Sequence, residues 1–267
     1  MSGLKRKQRT ILMDREVLPG ATLPIVHVQY HENIDYQAAW DLQGKLHAEL
    51  VDRKKRNRKA KQAGEPLEAI HHYLLVVTHP PVYTLGKSGS TDHLLLNEEQ
   101  LQEQGFSFYK INRGGDITYH GPGQLVVYPI FDLDELFTDV HRYVRCLEEA
   151  IIRTAADFGI PNAYREAGYT GVWLPATEQQ PKRKICAIGV HLSRWVTMHG
   201  LAFNVSTNLD HFKNIVPCGI DEPDRDVTSL AQELGKNITV AAVQDTVLRH
   251  FARIFGISLT EHPPKKE

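Results

Sequence analysis

The strongest constraint on the fold of this chain is a series of short apolar runs, rich in β-forming residues and separated by glycine and proline. A run of this kind with turn residues at both ends is typical of a β-strand. The sequence therefore predicts strands at Tyr73 to Thr78, Phe106 to Ile111, Asp116 to Tyr119 and Gln124 to Ile130, and three more at 169–175, 183–193 and 195–205.

Three other stretches repeat apolar residues at helical spacing, which predicts three helices. The first begins after Asp35, the second follows the cap Thr138 and ends at Gly159, and the third follows Thr239 and ends at Gly256. Predicted hairpins outnumber strand–helix–strand units. We therefore expect an α+β fold, a mixed β-sheet packed against about three helices, rather than a doubly wound parallel sheet.

The length and charge of the chain are those of an ordinary globular protein. Its 267 residues, 42% of them hydrophobic, suffice for a single domain, which we place at residues 20–260 between flexible tails at 1–19 and 261–267. A formal net charge of -1 gives no overall field toward nucleic acid or a membrane. Three scattered cysteines and the lack of a long apolar run favour the reducing cytoplasm, and a monomer is the default expectation.

One segment departs from this even distribution of charge. Seven of the nine residues from Arg53 to Lys61 are basic. Because like charges repel and resist packing, residues 53–67 are predicted to form an exposed insertion or an extension of the first helix. No aromatic residue is interleaved with these charges, which argues against nucleic-acid binding.

Common nucleotide and metal motifs do not occur in the sequence. Gly86-Lys87-Ser88 ends like a phosphate-binding loop, but the first glycine of that motif would fall on Pro81. No GxGxxG opens a strand–helix unit, and the histidines fall into no recognised metal spacing. We therefore expect no nucleotide cofactor and no metal.

The most unusual stretch runs from Arg113 to Gln124, with four glycines among residues 114–123. Backbone without side chains can come close to a ligand and present its N–H groups to a carbonyl or an anion. A tight pair of β-turns between strands would have the same composition. Composition alone therefore leaves both interpretations open.

Two of the cysteines are candidates for a nucleophile. In a strand of period two, Lys184 and Cys186 share a face, and a partly buried ammonium would lower the pKa of a neighbouring thiol from about 8.5. Cys218 stands in a Pro/Gly turn, and loops on rigid scaffolds often carry nucleophiles, whereas Cys146 lies in an apolar helical pattern. The residues alone do not decide between Cys186 and Cys218.

Several segments together resemble the lipoyl(octanoyl) transferase family of lipoic acid synthesis. They are HPPVYTLG at 79–86, RGGDITYHGPGQLVVYP at 113–129, KICAIGV at 184–190, HGLAFNV at 199–205 and PCGI at 217–220. The resemblance implies the α/β catalytic module shared by biotin and lipoate protein ligases. It also implies transfer of an octanoyl or lipoyl group from acyl carrier protein to a lysine of a lipoyl domain, without ATP or another cofactor.

The functional positions of that family can be carried over motif by motif. The resemblance implies that Cys218 holds the acyl group as a thioester and that Lys184 lowers the pKa of this cysteine. It further implies three substrate-binding segments: Arg113, Gly114, Gly115, Asp116, Ile117, Thr118, Tyr119 and His120; Ala187, Ile188 and Gly189; and Gly200, Leu201 and Ala202. Their small side chains would leave room for an octanoyl tunnel.

The resemblance also implies the partners. The donor would be octanoyl-acyl carrier protein, and the acceptors would be the lipoyl domains of 2-oxoacid dehydrogenase E2 subunits and the glycine cleavage H protein. Because such carriers are generally acidic, the basic block at 53–61 is a candidate docking patch. Three alternatives stay open: an ATP-dependent lipoate or biotin protein ligase, an amidotransferase between lipoyl domains, and a non-catalytic acyl-carrier binding module.

Overall fold

The computed structural model describes residues 23–216 and 224–261, which form two β-sheets with α-helices around them. The strands of the larger sheet are β1 (Ile25–His31), β2 (His72–Val77), β6 (Gln124–Ile130), β7 (Val172–Leu174), β8 (Lys182–Ser193), β9 (Val196–Asn204), β10 (Arg225–Val227) and β11 (Ser258–Glu261). The strands of the smaller sheet are β3 (Val82–Leu85), β4 (Ser107–Lys110) and β5 (Ile117–His120). The helices are α1 (Tyr36–Ala63), α2 (Glu98–Glu103), α3 (Val140–Asp157), α4 (Leu230–Leu234) and α5 (Val240–Phe255).

The larger sheet mixes parallel and antiparallel pairs. Its order is β10-β8-β9-β6-β2-β1-β11, and β7 also pairs with β8. The pairs β2–β6, β6–β9, β8–β9 and β7–β8 are antiparallel, whereas β1 is parallel to both β2 and β11, and β10 is parallel to β8. The predicted mixed sheet with packed helices is confirmed.

The two faces of the larger sheet carry separate apolar cores. On one face α3 and α5 pack over Leu125 and Val127 of β6. On the other face α1 covers Val126 and Tyr128 of the same strand. Successive side chains of a strand point to opposite faces, so a strand buried on both sides needs the unbroken apolar run that β6 has.

Capping residues set the ends of the long helices. Asp35 caps α1 as predicted, and Thr239 and Gly256 bound α5 as predicted. The predicted cap Thr138 is wrong by one residue, because the side chain of Asp139 accepts the hydrogen bond from the Arg142 backbone N–H at 2.9 Å. A carboxylate at this position also interacts favourably with the helix dipole.

The basic block continues α1 as a helix extension, which is one of the two predicted forms. The expectation that it resists packing is wrong for its first residues, since the side chains of Arg53 and Lys54 are only 14% and 18% exposed. Arg53 forms ion pairs with Glu49 and Glu68, and Lys54 pairs with Asp132 at 2.6 Å. Intrachain carboxylates thus offset the repulsion that the sequence suggested.

The hairpin between β8 and β9 turns on two residues, Arg194 and Trp195. Their φ angles are 52° and 62°, and Ser193 pairs with Val196 on either side. This is the geometry of a type I′ turn, which favours Asn-Gly. The left-handed conformation costs a residue with a Cβ about 1–2 kcal/mol of conformational free energy. Arg194 and Trp195 are therefore unfavourable residues for this turn.

The smaller sheet has its own apolar cluster, which it shares with the helical turn at Leu209–Asn214. Tyr83 and Tyr119 lie fully buried in this cluster, and the Tyr83 hydroxyl donates to the backbone oxygen of His211 at 2.8 Å. The small sheet therefore supports the chain just before residue 217. Within the described ranges, no helix combines the length and apolar character needed to cross a membrane.

Candidate active site

A cavity of about 340 Å³ lies where the larger sheet, the glycine-rich loop before β5 and the start of α1 meet. The fold brings the three predicted substrate-binding segments together here, although they are far apart in sequence. Every described member of those segments lines the cavity except Tyr119: Arg113, Gly114, Gly115, Asp116, Ile117, Thr118, His120, Ala187, Ile188, Gly189, Gly200, Leu201 and Ala202. Lys184 lines it as well.

Two glycines allow the walls of the cavity to approach each other. A Cβ on Gly189 would lie 2.8 Å from the carbonyl oxygen of Gly114 and 3.0 Å from Arg113 Cδ. A Cβ on Gly200 would overlap the carbonyl oxygen of Val127. Gly189 and Gly200 are partners in the β8–β9 register. Gly189 therefore lacks a side chain where the glycine-rich loop lies against β8, and Gly200 lacks one where β9 lies against the backbone of β6.

Arg113 places a buried positive charge in the cavity wall. Its guanidinium donates to the carbonyl oxygen of Thr84 at 2.7 Å, to the Thr84 hydroxyl at 3.1 Å and to the carbonyl oxygen of Gly114 at 3.1 Å. Burial lowers the pKa of Arg113, but arginine remains charged in proteins. Its Nε has no hydrogen-bond partner within the described residues. The cavity thus offers a cation held by neutral oxygens to an electron-rich ligand group.

A chain of buried hydrogen bonds fixes the proton of His120. Asn204 Nδ2 donates to the backbone oxygen of Thr228, which leaves Asn204 Oδ1 to accept from Gln124 Nε2 at 2.9 Å. Gln124 Oε1 then accepts from His120 Nδ1 at 2.8 Å. Burial lowers the pKa of His120 well below 6.5. The ring is therefore neutral with its proton on Nδ1, and Nε2 is a hydrogen-bond acceptor.

His199 is a second neutral histidine in the cavity lining, and its backbone is strained. Its φ of 56° lies in the left-handed region, which is uncommon for a residue other than glycine. Its Nε2 donates to Asn112 Oδ1 at 2.8 Å, and its buried Nδ1 has no partner among the described residues. Burial lowers the pKa of His199 to about 3, so the ring stays uncharged at neutral pH.

Lys184 reaches the cavity from β8, on the face opposite to Cys186. A β-bulge interrupts the pairing of β7 with β8, since Val172 pairs with Cys186 while Trp173 pairs with Lys184. The extra residue, Ile185, lies with Cys186 in the core that α3 and α5 cover. Lys184 instead lies over Trp173, with Nζ 4.6 Å from the ring centroid. The predicted shared face of Lys184 and Cys186 is wrong because the bulge breaks the period of two.

The two described cysteines have neither the exposure nor the pKa of a nucleophile. Cys146 and Cys186 are free thiols that are 1% and 0% exposed. Burial raises the pKa of Cys146 to about 11 and also raises that of Cys186, so neither forms a thiolate readily. Cys218, the other candidate, lies outside the described residues. Phe212 before it and Val227 after it both line the cavity.

Tyr119 lies in β5 but faces away from the cavity. Its side chain is fully buried among Tyr83, Phe106 and Phe212, and its hydroxyl forms a 2.7 Å hydrogen bond with His211 Nδ1. Thr118 and His120, the neighbours on the other face of β5, line the cavity. Tyr119 thus joins the cavity strand to the helical turn that precedes residue 217.

Known proteins resemble this chain in both sequence and fold. The model of the lipoyl protein ligase A/B catalytic domain family matches residues 35–252. The octanoyltransferase of Cytophaga hutchinsonii is 53% identical to this chain, over 85% of this chain and 91% of that protein. The octanoyltransferase of Flavobacterium johnsoniae is 50% identical, over 86% of this chain and 96% of that protein. The chain belongs to the octanoyltransferase family.

Solved structures of ligases share the fold of this octanoyltransferase-family chain. A lipoate-protein ligase A bound with ATP aligns with a TM-score of 0.61 and 14% identity, over 90% of this chain and 89% of that one. The bipartite lipoate protein ligase of Thermoplasma acidophilum aligns with a TM-score of 0.60 and 15% identity, over 88% and 87%. Likeness at this low identity concerns the fold, and it confirms the expected lipoate ligase-like module.

Sequence reasoning did not single out several residues that line the cavity in this member of the octanoyltransferase family. Tyr36, at the first turn of α1, stacks on His120 with ring centroids 5.9 Å apart, and Tyr128 lies beside it. His199 stood within the motif at 199–205, but nothing in the motif indicates its left-handed backbone. For Tyr128, the available signal of a site residue was a polar hydroxyl within the otherwise apolar run of β6.

Proposed function

We propose that this protein transfers an octanoyl group from acyl carrier protein to a lysine of a lipoyl domain, through an acyl thioester on Cys218. The observation that carries the proposal is the 53% identity to a curated octanoyltransferase, over 85% of this chain and 91% of that protein. The geometry of the cavity supports it independently, since the predicted substrate-binding segments line one cavity that Lys184 also lines.

The cavity suits an acyl chain with one polar end. Its volume of about 340 Å³ is at the lower end of the range usual for small-molecule sites. Ala187, Leu201 and Ala202 contribute small or apolar wall, whereas Arg113 and Lys184 contribute positive charge. An octanoyl chain would lie along the apolar wall with its carbonyl toward the charged groups.

Lys184 would act first as the group that stabilises the cysteine thiolate. Its ammonium lies over the face of Trp173, and an aromatic ring favours the charged form of a lysine. The Cys218 thiolate attacks the carbonyl carbon of the donor thioester and forms a new C–S bond. The C–S bond to the donor phosphopantetheine then breaks, and the leaving thiolate takes a proton from Lys184.

Lys184, now neutral, would act as the base in the second half of the reaction. It accepts a proton from the acceptor lysine, whose amine attacks the acyl-cysteine carbonyl. A C–N bond forms, the bond to Cys218 breaks, and the cysteine leaves as the thiolate with which the cycle began. Conversion of a thioester to an amide is downhill, so the transfer needs no ATP.

The proposal includes the partners and setting that the family resemblance implies. The acceptors are the lipoyl domains of 2-oxoacid dehydrogenase E2 subunits and the glycine cleavage H protein, and the protein acts as a monomer in the cytoplasm. The two described cysteines are free thiols, which is compatible with a reducing compartment.

Intact-protein mass spectrometry tests the proposal directly. The purified protein is mixed with octanoyl-acyl carrier protein without ATP, and the adduct is located by peptide mapping. We expect one octanoyl adduct on Cys218 that disappears when an apo lipoyl domain is added. Cys218→Ala should lose the adduct, and the matched variant Cys186→Ala should keep it.

Two results would overturn this assignment. Transfer that requires ATP and free octanoate, and that survives Cys218→Ala, would identify a ligase. Binding of acylated carrier without any covalent adduct would identify a passive binding module. An adduct formed equally well from an octanoylated lipoyl domain would extend the donor range to that of an amidotransferase.

A further inference from the structure

An exposed surface formed by the β8–β9 turn and the end of α1 has no role in the site described above. We call it the hairpin–helix patch and define it by Arg58, Lys61, Arg194 and Trp195. All four side chains are exposed, and Trp195 keeps 40% of its surface open to solvent. Trp195 thus adds a partly exposed aromatic side chain to three basic ones.

The structure divides the basic block into a neutralised part and a part with unbalanced charge. Arg53, Lys54, Lys55 and Arg56 each form an ion pair with a carboxylate of the chain. Within the described residues, Arg58, Lys59 and Lys61 form none. The positive charge available to a partner is therefore confined to the last two turns of α1.

Two of these cations lie on the same face of α1 as Lys54, which contacts the hairpin turn. Lys54 Nζ donates to the backbone oxygen of Arg194 at 2.9 Å. Arg58 and Lys61 follow Lys54 by four and seven residues, so they continue the same face of the helix past the turn. The opposite flank is covered by the returning chain, where Asn57 bonds the backbone of Glu68. The open flank thus joins Arg58 and Lys61 to Arg194 and Trp195.

The residues of the turn also indicate a role in binding. A two-residue type I′ turn is most stable with Asn-Gly, yet the chain carries an arginine and a tryptophan there, both in the left-handed region. Arginine and tryptophan are the residues most enriched at energetic hot spots of protein interfaces. Burial in the core does not explain this choice of turn residues, because both side chains are exposed.

We propose that the hairpin–helix patch docks an acidic carrier domain, with Trp195 as the apolar anchor and Arg58, Lys61 and Arg194 as partners for its carboxylates. This rests on the proposed function for the identity of the carriers.

The patch lies within reach of the cavity. Four steps of the β8–β9 register separate the pair Ser193–Val196 at the turn from the pair Gly189–Gly200 at the cavity, which is about 13 Å along the hairpin. A small domain seated on the patch can therefore reach the cavity with its acyl or lysine arm. A single tryptophan among the charges is too few for a base-stacking surface, so nucleic acid fits less well.

The experiment measures carrier binding and transfer separately. Binding of octanoyl-acyl carrier protein and of apo lipoyl domain is measured with protein whose cysteine is replaced, Cys218→Ala, at low and at high salt. Transfer is measured with the intact cysteine. In the double variant R58E/K61E, and separately in Trp195→Ala, we expect the Kd and KM for at least one carrier to rise about tenfold, with kcat unchanged. The salt dependence of binding should weaken in R58E/K61E.

Two exposed residues outside the patch provide the matched controls, Lys236→Glu for charge and Tyr30→Ala, which is also 40% exposed, for an aromatic side chain. If the Kd and KM of both carriers stay within twofold in the patch variants while wild-type protein transfers octanoyl, the patch is not a docking surface and the proposed function stands. If the patch variants lose carrier binding but wild-type protein never transfers, the proposed function fails and the docking surface stands. Loss of binding to a single-stranded oligonucleotide with unchanged carrier binding would assign the patch to nucleic acid instead.

Discussion

The two faces of β8 differ in nearly every chemical respect, although they alternate along one strand. The face toward α3 and α5 holds Ile185 and Cys186, both 0% exposed and packed among apolar side chains. The face toward the cavity holds Lys184, Ala187 and Gly189. A thiol is present on the first face and a cation on the second. The thiol closest in sequence to the lysine is therefore kept out of its chemistry.

The bulge at Ile185 produces this separation. Without it, Lys184 and Cys186 would share a face, as a strict period of two requires. With it, the ladder shifts between Val172 and Trp173, and Lys184 moves to the side of Trp173. One additional residue thus decides which side chains belong to the core and which to the site. The following predictions test that division, from the largest expected effect to the smallest.

Replacing the lysine should abolish function and leave the fold intact. We expect Lys184→Met to reduce octanoyl transfer at least about a thousandfold, because the thiolate and the acceptor amine both lose their proton partner. Loss of the contact with Trp173 should reduce the free energy of unfolding by about 1 kcal/mol, the size of one cation–π contact. Steady-state transfer and denaturant unfolding measure the two quantities.

The neighbouring residue should show the reverse pattern. Ile185→Ala opens a cavity in the core and should reduce the unfolding free energy by about 2–5 kcal/mol. Transfer at a temperature where the variant is folded should stay within about threefold of wild type. A large loss of activity in folded Ile185→Ala, or unchanged activity in Lys184→Met, would contradict the division of the two faces.

A side chain at Gly189 should restrict the acyl group rather than the chemistry. Even a Cβ there would press on Gly114 and Arg113, so Gly189→Val should reduce octanoyl transfer about tenfold to a hundredfold. Transfer of a butyryl group should fall less, which a comparison of the two donors would measure. Leu192→Ala, further along β8 and packed against the core, is the control and should keep the wild-type ratio. An unchanged ratio in Gly189→Val would mean that the acyl chain lies elsewhere.

The neutral histidines near the cavity should make the fold sensitive to acid. Burial lowers the pKa of His79 to about 4 and of His199 to about 3, from an unfolded value near 6.5. Below pH 6.5 the unfolded chain binds protons that the folded chain excludes, so stability should fall as the pH is lowered toward 4. We expect His199→Gln to flatten this decline, as urea unfolding between pH 6.5 and 4.5 would measure. A variant with the same slope as wild type would show that His199 is protonated in the folded protein.

The sequence predicted the elements with strong local signals and missed those that depend on distant partners. Apolar runs were sufficient to predict the strands β2 and β6. Capping residues were sufficient to predict where α1 and α5 begin, at Asp35 and Thr239. β1 and β11 carry polar residues and lie far from each other in the sequence, yet they pair in the sheet, where β1 also pairs with β2. The alternation of Val26, Val28 and Tyr30 with polar residues was a signal for β1, whereas the four residues of β11 offer no comparable pattern.

The candidate site shows the same limit. Motifs identified the segments that line the cavity, but the direction of each side chain depends on the sheet. Tyr119 stands among cavity residues in sequence and faces the small apolar cluster in the structure. Lys184 changes face because of a bulge that only the β7 partner reveals. The role of Cys218 rests on its motif, since it lies outside the described residues.

The pairing of β1 with β11 has a consequence for synthesis of the chain on the ribosome. Ile25 is made long before its partner Ser258. Until then the outer edge of β1 has no neighbour, and its free backbone groups can pair with another copy. β11 supplies that neighbour with mostly exposed, polar residues of its own. A nascent chain that stalls before residue 258 would therefore carry an open strand edge, and synthesis of β11 is the step that covers it.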